Sequence, residues 1–311
     1  NYDFSFVNGN LAITKASLRV LITNASKVYG TNNPSFAYAY DGFVNSENEL
    51  SAQITGAPLL TSTATAGSGV GNYPISGVTG SLSAPNYDFT FVNGSLAITK
   101  AVLTATVDNK SRPYGVSNPD FTVSYNGFVN GDNALTIGLG GQILFTTLAD
   151  INSPQGQYDV FASSGSLVSA NYDFQFVKGI LTIGKAMITV RPVNKTKTYG
   201  QPNPAFTYVL EGFLNGDNAT TAGVTGEPVL TTNASTSSGA GLYEITSSIG
   251  TLSSTNYDFG LAKGVLTIDK APLIVKAADQ SRIYGANDPS FSYTLIGFVN
   301  GDDAKIGRAH V

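Results

Sequence analysis

Several residue types are missing or rare in this sequence of 311 residues, and each absence excludes a class of function. There is no cysteine, which excludes disulfides, cysteine-ligated metals and thiol catalysis. Only 12% of the residues are charged and the net charge is −4, so we expect no nucleic-acid partner. No apolar run reaches the roughly 18 residues of a membrane span, so we expect no membrane insertion of this segment.

The residues that are present favour a folded β protein without enzymatic activity. Aromatic and β-branched residues are abundant, unlike in disordered chains. With one histidine and no nucleotide-binding glycine fingerprint, we expect no enzyme and assign no catalytic, cofactor-binding or metal-ligating residue. That histidine, His310, lies in residues 305–311, which depart from the repeat described next. The letters IGRAHV match one reading frame of a common sequencing adapter, so this tail is interpreted as partly or wholly artefactual.

A period of 85 residues dominates the sequence. The tetrapeptide NYDF begins at positions 1, 86, 171 and 256. Three dipeptides keep the same period: Tyr-Gly from position 29, Gly-Phe from position 42 and Lys-Ala from position 15. Because these landmarks share one register, the sequence predicts tandem repeats without insertions. Such a repeat is longer than a solenoid turn of about 20–45 residues and is long enough for a small domain with its own core.

The repeat boundaries follow from these landmarks. We predict complete repeats at residues 17–101, 102–186 and 187–271. Residues 1–16 correspond to the end of a preceding repeat, and residues 272–311 correspond to the start of a truncated one. Because no Gly/Ser-rich or Pro-rich spacer separates the repeats, one repeat should lead almost directly into the next. The sequence therefore predicts an elongated rod with restricted hinges.

Hydrophobic alternation within each repeat predicts strands and no helix. In the second repeat, VLTATV, FTVSY and YDFQF alternate with a period of two, and turn clusters such as NGDN separate such segments. About seven or eight short strands per repeat fit a two-sheet sandwich of immunoglobulin type. The predicted fold class is therefore all-β, as tandem Ig-like β-sandwich repeats, with a β-grasp-like arrangement as the alternative.

The segment NYDFTFVNGSLAITKA predicts a closing hairpin in each repeat. Asn93 and Gly94 match a two-residue type I′ turn, in which both positions need a positive φ. Pairing around this turn would place Phe91 opposite Leu96 and would give one apolar and one polar face. The Tyr and Phe of NYDF are then expected to face the core, and the Asp is expected to face solvent.

These stretches together resemble a known family. The order YG, NP, GF-x-N, G-x-Y, NYDF and KA, found in NPSFAYAYDGFVN and NYDFTFVNGSLAITKA, resembles the MBG repeats (mostly bacterial Ig-like, YG-containing type) of bacterial surface proteins. The resemblance extends from Asn1 to about Ala304. It implies tandem β-rich modules that act mostly as spacers in large adhesin-like exoproteins. NSEN from Asn45 and YDFGLAKG from Tyr257 depart from the pattern without breaking the register.

Several polar residues recur in every repeat and could act as acids or ligands, but we interpret them as structural. The NYDF aspartates are expected to be exposed at a strand start, bonding nearby backbone rather than acting as acids or ligands. An isopeptide bond between Lys100 and Asp88 would need a buried carboxylic acid beside it, and the glutamates share no repeat position. The four aspartates are Asp3, Asp88, Asp173 and Asp258.

Two further motifs are also interpreted as structure. The loops NGDN from Asn130 and Asn215, and NGDD from Asn300, are predicted turns, because they lack the spaced D-x-D-x-D-G frame of calcium loops. The tyrosines of the G-x-Y segments resemble a tyrosine corner whose phenol bonds the backbone, with carbohydrate stacking as the alternative. These tyrosines are Tyr73, Tyr158 and Tyr243.

The sequence therefore predicts a structural stalk of a large bacterial surface or secreted adhesin, which projects a distal binding domain. Its expected partners are the neighbouring repeats and, through domains outside this segment, a host or surface ligand. The alternative is that the repeats themselves bind glycan or protein ligands. The expected location is extracellular or at the bacterial cell surface.

Overall fold

The computed structural model describes residues 1–304, and every regular element in that range is a β-strand. The all-β fold class is therefore confirmed. Within the same range, no helix has the length and hydrophobicity needed to cross a membrane. The tail interpreted as artefactual, with His310, lies outside the described residues.

The first repeat contains seven strands, in agreement with the predicted number. Apolar side chains alternate along them, so that Leu18 and Val20 are fully buried while their neighbours Ser17 and Arg19 are exposed. The strands are β1 (Ala16–Ile22), β2 (Ala25–Val28), β3 (Tyr38–Asp41), β4 (Leu59–Ser62), β5 (Gly71–Val78), β6 (Tyr87–Val92) and β7 (Gly94–Thr99).

These strands form two sheets. The first sheet has the order β3-β1-β6, with β1 antiparallel to β3 and parallel to β6. The second has the order β2-β7-β5-β4, with β2 parallel to β7 and the other pairs antiparallel. Two sheets per repeat agree with the predicted sandwich. The parallel pairs differ from the purely antiparallel sheets of that architecture.

The second and third repeats have the same strand sequence. In the second, β10-β8-β13 matches the first sheet, and β9 pairs parallel with β14. In the third, the sheets are β17-β15-β20 and β16-β21-β19-β18. The strands are β8 (Ala101–Val107), β9 (Lys110–Pro113), β10 (Val123–Asn126), β11 (Leu144–Thr147), β12 (Gly156–Ser163), β13 (Tyr172–Val177), β14 (Gly179–Gly184), β15 (Ala186–Pro192), β16 (Lys195–Thr198), β17 (Tyr208–Glu211), β18 (Val229–Thr231), β19 (Gly241–Ser248), β20 (Tyr257–Leu261) and β21 (Gly264–Asp269).

The predicted closing hairpin is wrong. Strands β6 and β7 belong to different sheets, and Asn93 alone connects them. Phe91 pairs with Val20 of β1, and Leu96 pairs with Tyr73 of β5. Gly94 does not have a positive φ; it is buried, and an added Cβ would lie 2.8 Å from the Ile22 carbonyl oxygen. The glycine therefore serves a close backbone approach rather than a turn.

Hydrophobic clusters lie within and between repeats. One cluster belongs to the first repeat alone and packs Leu18 and Tyr87 together. A second cluster contains Ile75 and Leu96 of the first repeat together with Leu103 and Tyr172 of the second. The prediction of a separate core for each repeat therefore holds only in part, because consecutive repeats share buried surface.

The chain divides into two compact units, and the division runs through the second repeat. The first unit comprises Asn1–Asp108, Phe121–Thr147 and Asp159–Ile180. The second comprises Asn109–Asp120, Leu148–Tyr158 and the chain from Leu181 onward. Each unit thus contains side chains from consecutive repeats.

Both outer segments of the described chain lack most of a repeat. Residues 1–15 form no strand, and the aromatic side chains of Tyr2, Phe4 and Phe6 are 94%, 88% and 94% exposed. At the other end, β22 (Ile274–Ala277) and β23 (Tyr293–Ile296) form a two-stranded antiparallel sheet.

Candidate functional site: the joint between consecutive repeats

The recurring motifs meet where one repeat contacts the next, and we call this contact the joint. In the first compact unit, the Tyr29 hydroxyl of the first repeat donates to Asp132 Oδ2 of the second at 3.0 Å. The Tyr172 hydroxyl, from the NYDF of the second repeat, donates to the same oxygen at 2.7 Å. The two rings pack edge to face, 5.6 Å apart. One carboxylate therefore accepts hydrogen bonds from tyrosines of two repeats.

The second compact unit contains a second joint with the same geometry. Tyr114 and Tyr257 donate to Asp217 Oδ2 at 3.0 and 2.8 Å. Their rings lie 5.4 Å apart, again edge to face. The Leu214 backbone N–H donates to the Tyr257 hydroxyl at 3.0 Å, so this phenol both donates and accepts.

In the first repeat, Glu47 stands where the later repeats have aspartate. The Tyr87 hydroxyl donates to its carboxylate and accepts from the Val44 N–H. The departure NSEN thus keeps an acidic partner for the tyrosine of NYDF. Asn45 and Ser46 have φ of 52° and 58°, so the turn itself is also kept in a left-handed form.

Asparagines add a second layer of contacts to each joint. In the first joint, Asn171 Oδ1 accepts from the Val70 N–H at 3.0 Å, and Asn130 Nδ2 donates to the Ala66 carbonyl at 3.2 Å. The second joint repeats both contacts, through Asn256 and Asn215. Within NYDF, therefore, the Asn and Tyr bind the preceding repeat or the shared carboxylate.

At both joints, the glycine of the Tyr-Gly pair permits this approach. Gly115 has a φ of +76°, and a Cβ on it would lie 2.6 Å from Leu214 Cβ. Gly30 has a φ of +86°, and a Cβ there would overlap the Val129 side chain. A left-handed backbone and a close neighbour both favour glycine at these positions.

Burial raises the pKa of tyrosine hydroxyls in the joints. It raises the pKa of Tyr172 and of Tyr257 to about 12, with the neighbouring aspartate adding to the effect. Burial also raises the pKa of Tyr114, whereas the pKa of Tyr87 is raised first by its hydrogen bond to Glu47. These hydroxyls are donors to carboxylates, so they are held in the protonated form.

Two NYDF aspartates, Asp173 and Asp258, are exposed and accept no hydrogen bond from the tyrosines of the joints. Asp173 lies 3.3 Å from Lys100 Nζ and Asp258 lies 3.5 Å from Lys185 Nζ, in ion pairs whose aspartates are 71% and 63% exposed. Lys100 thus contacts the aspartate of the following repeat rather than Asp88. Exposed pairs of this kind contribute little stability and lack the buried acid that isopeptide formation requires.

The NGDN segments are turns, and their aspartates have a role that the sequence did not reveal. Asn130 and Asn215 have φ of 57° and 54°, and the Asp132 N–H bonds back to the Val129 carbonyl. The described residues contain no group of three or more His, Cys, Asp or Glu that could hold a metal ion. The turn instead presents Asp132 and Asp217 to the phenols.

The tyrosines of the G-x-Y segments bond the backbone, as the tyrosine-corner interpretation predicts. Tyr73, Tyr158 and Tyr243 each donate to the carbonyl oxygen four residues earlier, at 3.0 Å. Tyr73 also packs against the hydrophobic cluster that the first two repeats share, and Tyr243 packs against a cluster of the third repeat.

The sequence analysis did not identify a repeat position at which a cationic side chain is buried. Lys27 is 7% exposed, and its Nζ donates to the Thr31 and Thr65 carbonyls at 3.0 and 2.6 Å. Lys197 and Arg112, at the same repeat position, are buried and also donate to carbonyls. Their recurrence every 85 residues on an inward-facing strand position is the signal that identifies them in the sequence.

Comparisons with known proteins agree with the repeat pattern. The family model described as "MBG domain (YGX type)" matches residues 18–97, 103–182, 188–267 and 273–309. A search of curated proteins finds no match. Among solved structures, Sidekick-1 immunoglobulin domains 1–4 align at 8% identity and a TM-score of 0.18, over 86% of this chain and 73% of that chain. A TM-score this low carries no argument about topology.

Proposed function

Because the chain belongs to the MBG domain family of the YGX type, we propose that it is a stalk segment of a large bacterial surface or secreted adhesin. In this role the repeats hold a distal binding domain away from the surface. Their direct partners are the neighbouring repeats, and a host or surface ligand is bound by domains outside this segment. The proposed location is extracellular or at the bacterial cell surface.

The recurrent joint is the observation that carries this proposal. Tyr-Gly, the NGDN turn and the first two residues of NYDF all contribute to it, and the Asp132 and Asp217 joints have closely similar distances. A stalk needs reproducible contacts between consecutive repeats, since nearest-neighbour interfaces determine the stability of a tandem array. The repeated polar residues are used for these contacts, which supports a structural rather than a catalytic role.

Distances between labels test the stalk. The native chain has no cysteine, so spin labels can be placed at Thr61→Cys, Thr146→Cys and Thr231→Cys, three exposed positions spaced by one repeat. For a stalk, pulsed electron spin resonance should give narrow distributions, with the 61–231 distance close to the sum of the two shorter ones. A broad distribution or a much shorter 61–231 distance would contradict the proposal.

A binding assay separates the stalk from the alternative. The chain, immobilised through one of these cysteines, should give no reproducible signal on a glycan array or with host matrix proteins if it acts only as a spacer. A saturable signal that is lost when free chain is added as a competitor would favour the alternative, in which the repeats themselves bind glycan or protein.

A further inference from the structure

The first and last strands of a complete repeat pair in parallel with each other. In the first repeat, β1 lies parallel to β6, and β2 lies parallel to β7. Partners are 71 residues apart along the chain in both pairs, from Ala16 with Tyr87 to Val28 with Thr99. Residues 16–28 and 87–99 therefore run side by side in one register, and we call this pairing the terminal ladder.

The terminal ladder continues where both segments cross from one sheet to the other. Between the two parallel pairs, Asn24 Oδ1 accepts from the Ser95 N–H at 2.8 Å, so a side chain supplies the hydrogen bond at the crossing. Gly94 allows the segments to approach each other there, because a Cβ on it would lie 2.8 Å from the Ile22 carbonyl oxygen. The ladder therefore extends from the first sheet into the second.

The third repeat has the same terminal ladder. Strand β15 pairs in parallel with β20, and β16 pairs in parallel with β21, at the same separation along the chain. Asn194 Oδ1 accepts from the Val265 N–H at 2.8 Å, as Asn24 does from Ser95. In the second repeat, the parallel pairs β8–β13 and β9–β14 have this separation as well. The pairing is therefore a feature of the repeat.

The chain enters a repeat at one end of the ladder and leaves it at the other. Tension on the first repeat pulls Ala16 towards the N-terminus and Thr99 towards the C-terminus. Because the two segments are parallel, these forces act along the strands in opposite directions and load the ladder in shear. Its hydrogen bonds, each of modest strength, must then break together, whereas they would break one at a time if both forces acted at the same end.

The strands that take the load lie inside their sheets. Strand β1 lies between β3 and β6, and β7 lies between β2 and β5. Leu18, Val20 and Leu96 are fully buried. Sliding either strand therefore breaks the pairing on both of its sides and exposes apolar side chains to water.

We propose that the terminal ladder makes each complete repeat a clamp that resists tension along the chain. In a stalk whose distal domain holds a fixed ligand, any force on the cell passes through every repeat in turn. The clamp keeps the repeats folded under this load, so that the stalk does not lengthen by unfolding. This further role rests on the proposed stalk function, because a stalk is what brings tension to both ends of a repeat.

Pulling the full chain from two alternative pairs of points tests the clamp. Because the native chain has no cysteine, DNA handles for optical tweezers can be attached at Ser17→Cys with Thr99→Cys, or at Ser17→Cys with Asp88→Cys, all exposed positions. The first pair loads the ladder in shear, and the second opens it from one end, since Ser17 and Asp88 are direct partners.

The unfolding force at one pulling speed should be at least about threefold higher for the 17–99 pair, because forced unfolding follows the unfolding rate and shear must break the ladder in a single step. The length released should be roughly 280 Å, which identifies the first repeat as the part that unfolds. The urea midpoints of the two variants should agree, so that the forces compare directions rather than stabilities. Equal forces, or a higher force for the 17–88 pair, would overturn the inference.

Asn24→Ala tests whether the ladder acts as one unit. It removes the hydrogen bond to the Ser95 N–H at the crossing, so the force for the 17–99 pair should fall by about a fifth or more. Asn32→Ala is the matched control, since Asn32 is exposed and lies outside the strands, and its force should equal that of the parent variant. An unchanged force for Asn24→Ala would mean two separate pairs and would overturn the single clamp.

The clamp and the stalk can fail separately. Narrow label distances together with equal pulling forces would support the stalk and overturn the clamp. Direction-dependent forces together with broad label distances would contradict the stalk and support the clamp as a property of the repeat.

Discussion

At the scale of single residues, the joints depend on an aspartate that accepts hydrogen bonds from two tyrosines. Asp132 binds Tyr29 and Tyr172, which lie 103 and 40 residues away along the chain. Hydrogen bonds to a charged acceptor contribute more than neutral ones, and removing one partner leaves a buried group unpaired. The phenol hydroxyls are therefore the sites at which the joint can be tested most directly.

We predict that Tyr172→Phe destabilises the chain by about 1–3 kcal/mol. The variant keeps the buried ring but removes the donor to Asp132 and the acceptor for the Val129 N–H. The urea midpoint, followed by circular dichroism, should fall accordingly. Tyr284→Phe is the control, since Tyr284 is fully exposed, and its midpoint should match that of the native chain. Equal midpoints for both variants would show that the hydroxyl contributes nothing.

Alkaline pH should weaken the same joints. The pKa of Tyr172 and of Tyr257 is raised to about 12 from 10.0, so between these values the folded state binds more protons than the unfolded state. Stability is therefore fully present below pH 10 and falls as the pH rises towards 12. The urea midpoint of the native chain should fall more steeply over this window than that of Tyr172→Phe. Parallel curves would contradict the assignment.

At the scale of elements, the sequence located the strands but not their partners. Alternation is a local signal, and it correctly indicated β8, β10 and β13. Sheet pairing is not local, and β6 and β7 each pair with strands that begin about 70 residues earlier, so the Asn-Gly hairpin signal was overridden. The recurrence of Tyr-Gly, NGDN and NYDF was visible, but nothing local in the sequence shows that they meet.

Substitutions at two glycines can separate the cost of a left-handed backbone from the cost of a close neighbouring side chain. Gly30 and Gly131 have φ of +86° and +76°, but only Gly30 has a neighbour within reach of a Cβ, the Val129 side chain. Gly131→Ala should cost about 1–2 kcal/mol through backbone strain alone. Gly30→Ala should cost more, because Val129 must also move. Equal losses in urea midpoint would indicate that the close approach is unimportant.

At the scale of the whole molecule, the compact units do not coincide with the sequence repeats. The sequence repeats every 85 residues, whereas each compact unit combines parts of consecutive repeats. The shared cluster is consistent with this, because it contains Ile75 and Leu96 of the first repeat together with Leu103 and Tyr172 of the second. A repeat removed from its neighbour would expose that apolar surface to water.

We therefore predict that a fragment of residues 17–186 is more stable than residues 17–101 alone. Separation exposes apolar side chains of the cluster that the two repeats share, at a cost of about 1.5–3 kcal/mol for each large side chain exposed. The urea midpoint of the single repeat should be clearly lower, and Asp132→Ala in the two-repeat fragment should move its midpoint towards that of the single repeat. Identical midpoints for the two fragments would show that consecutive repeats fold independently and that the joint orients them without stabilising them.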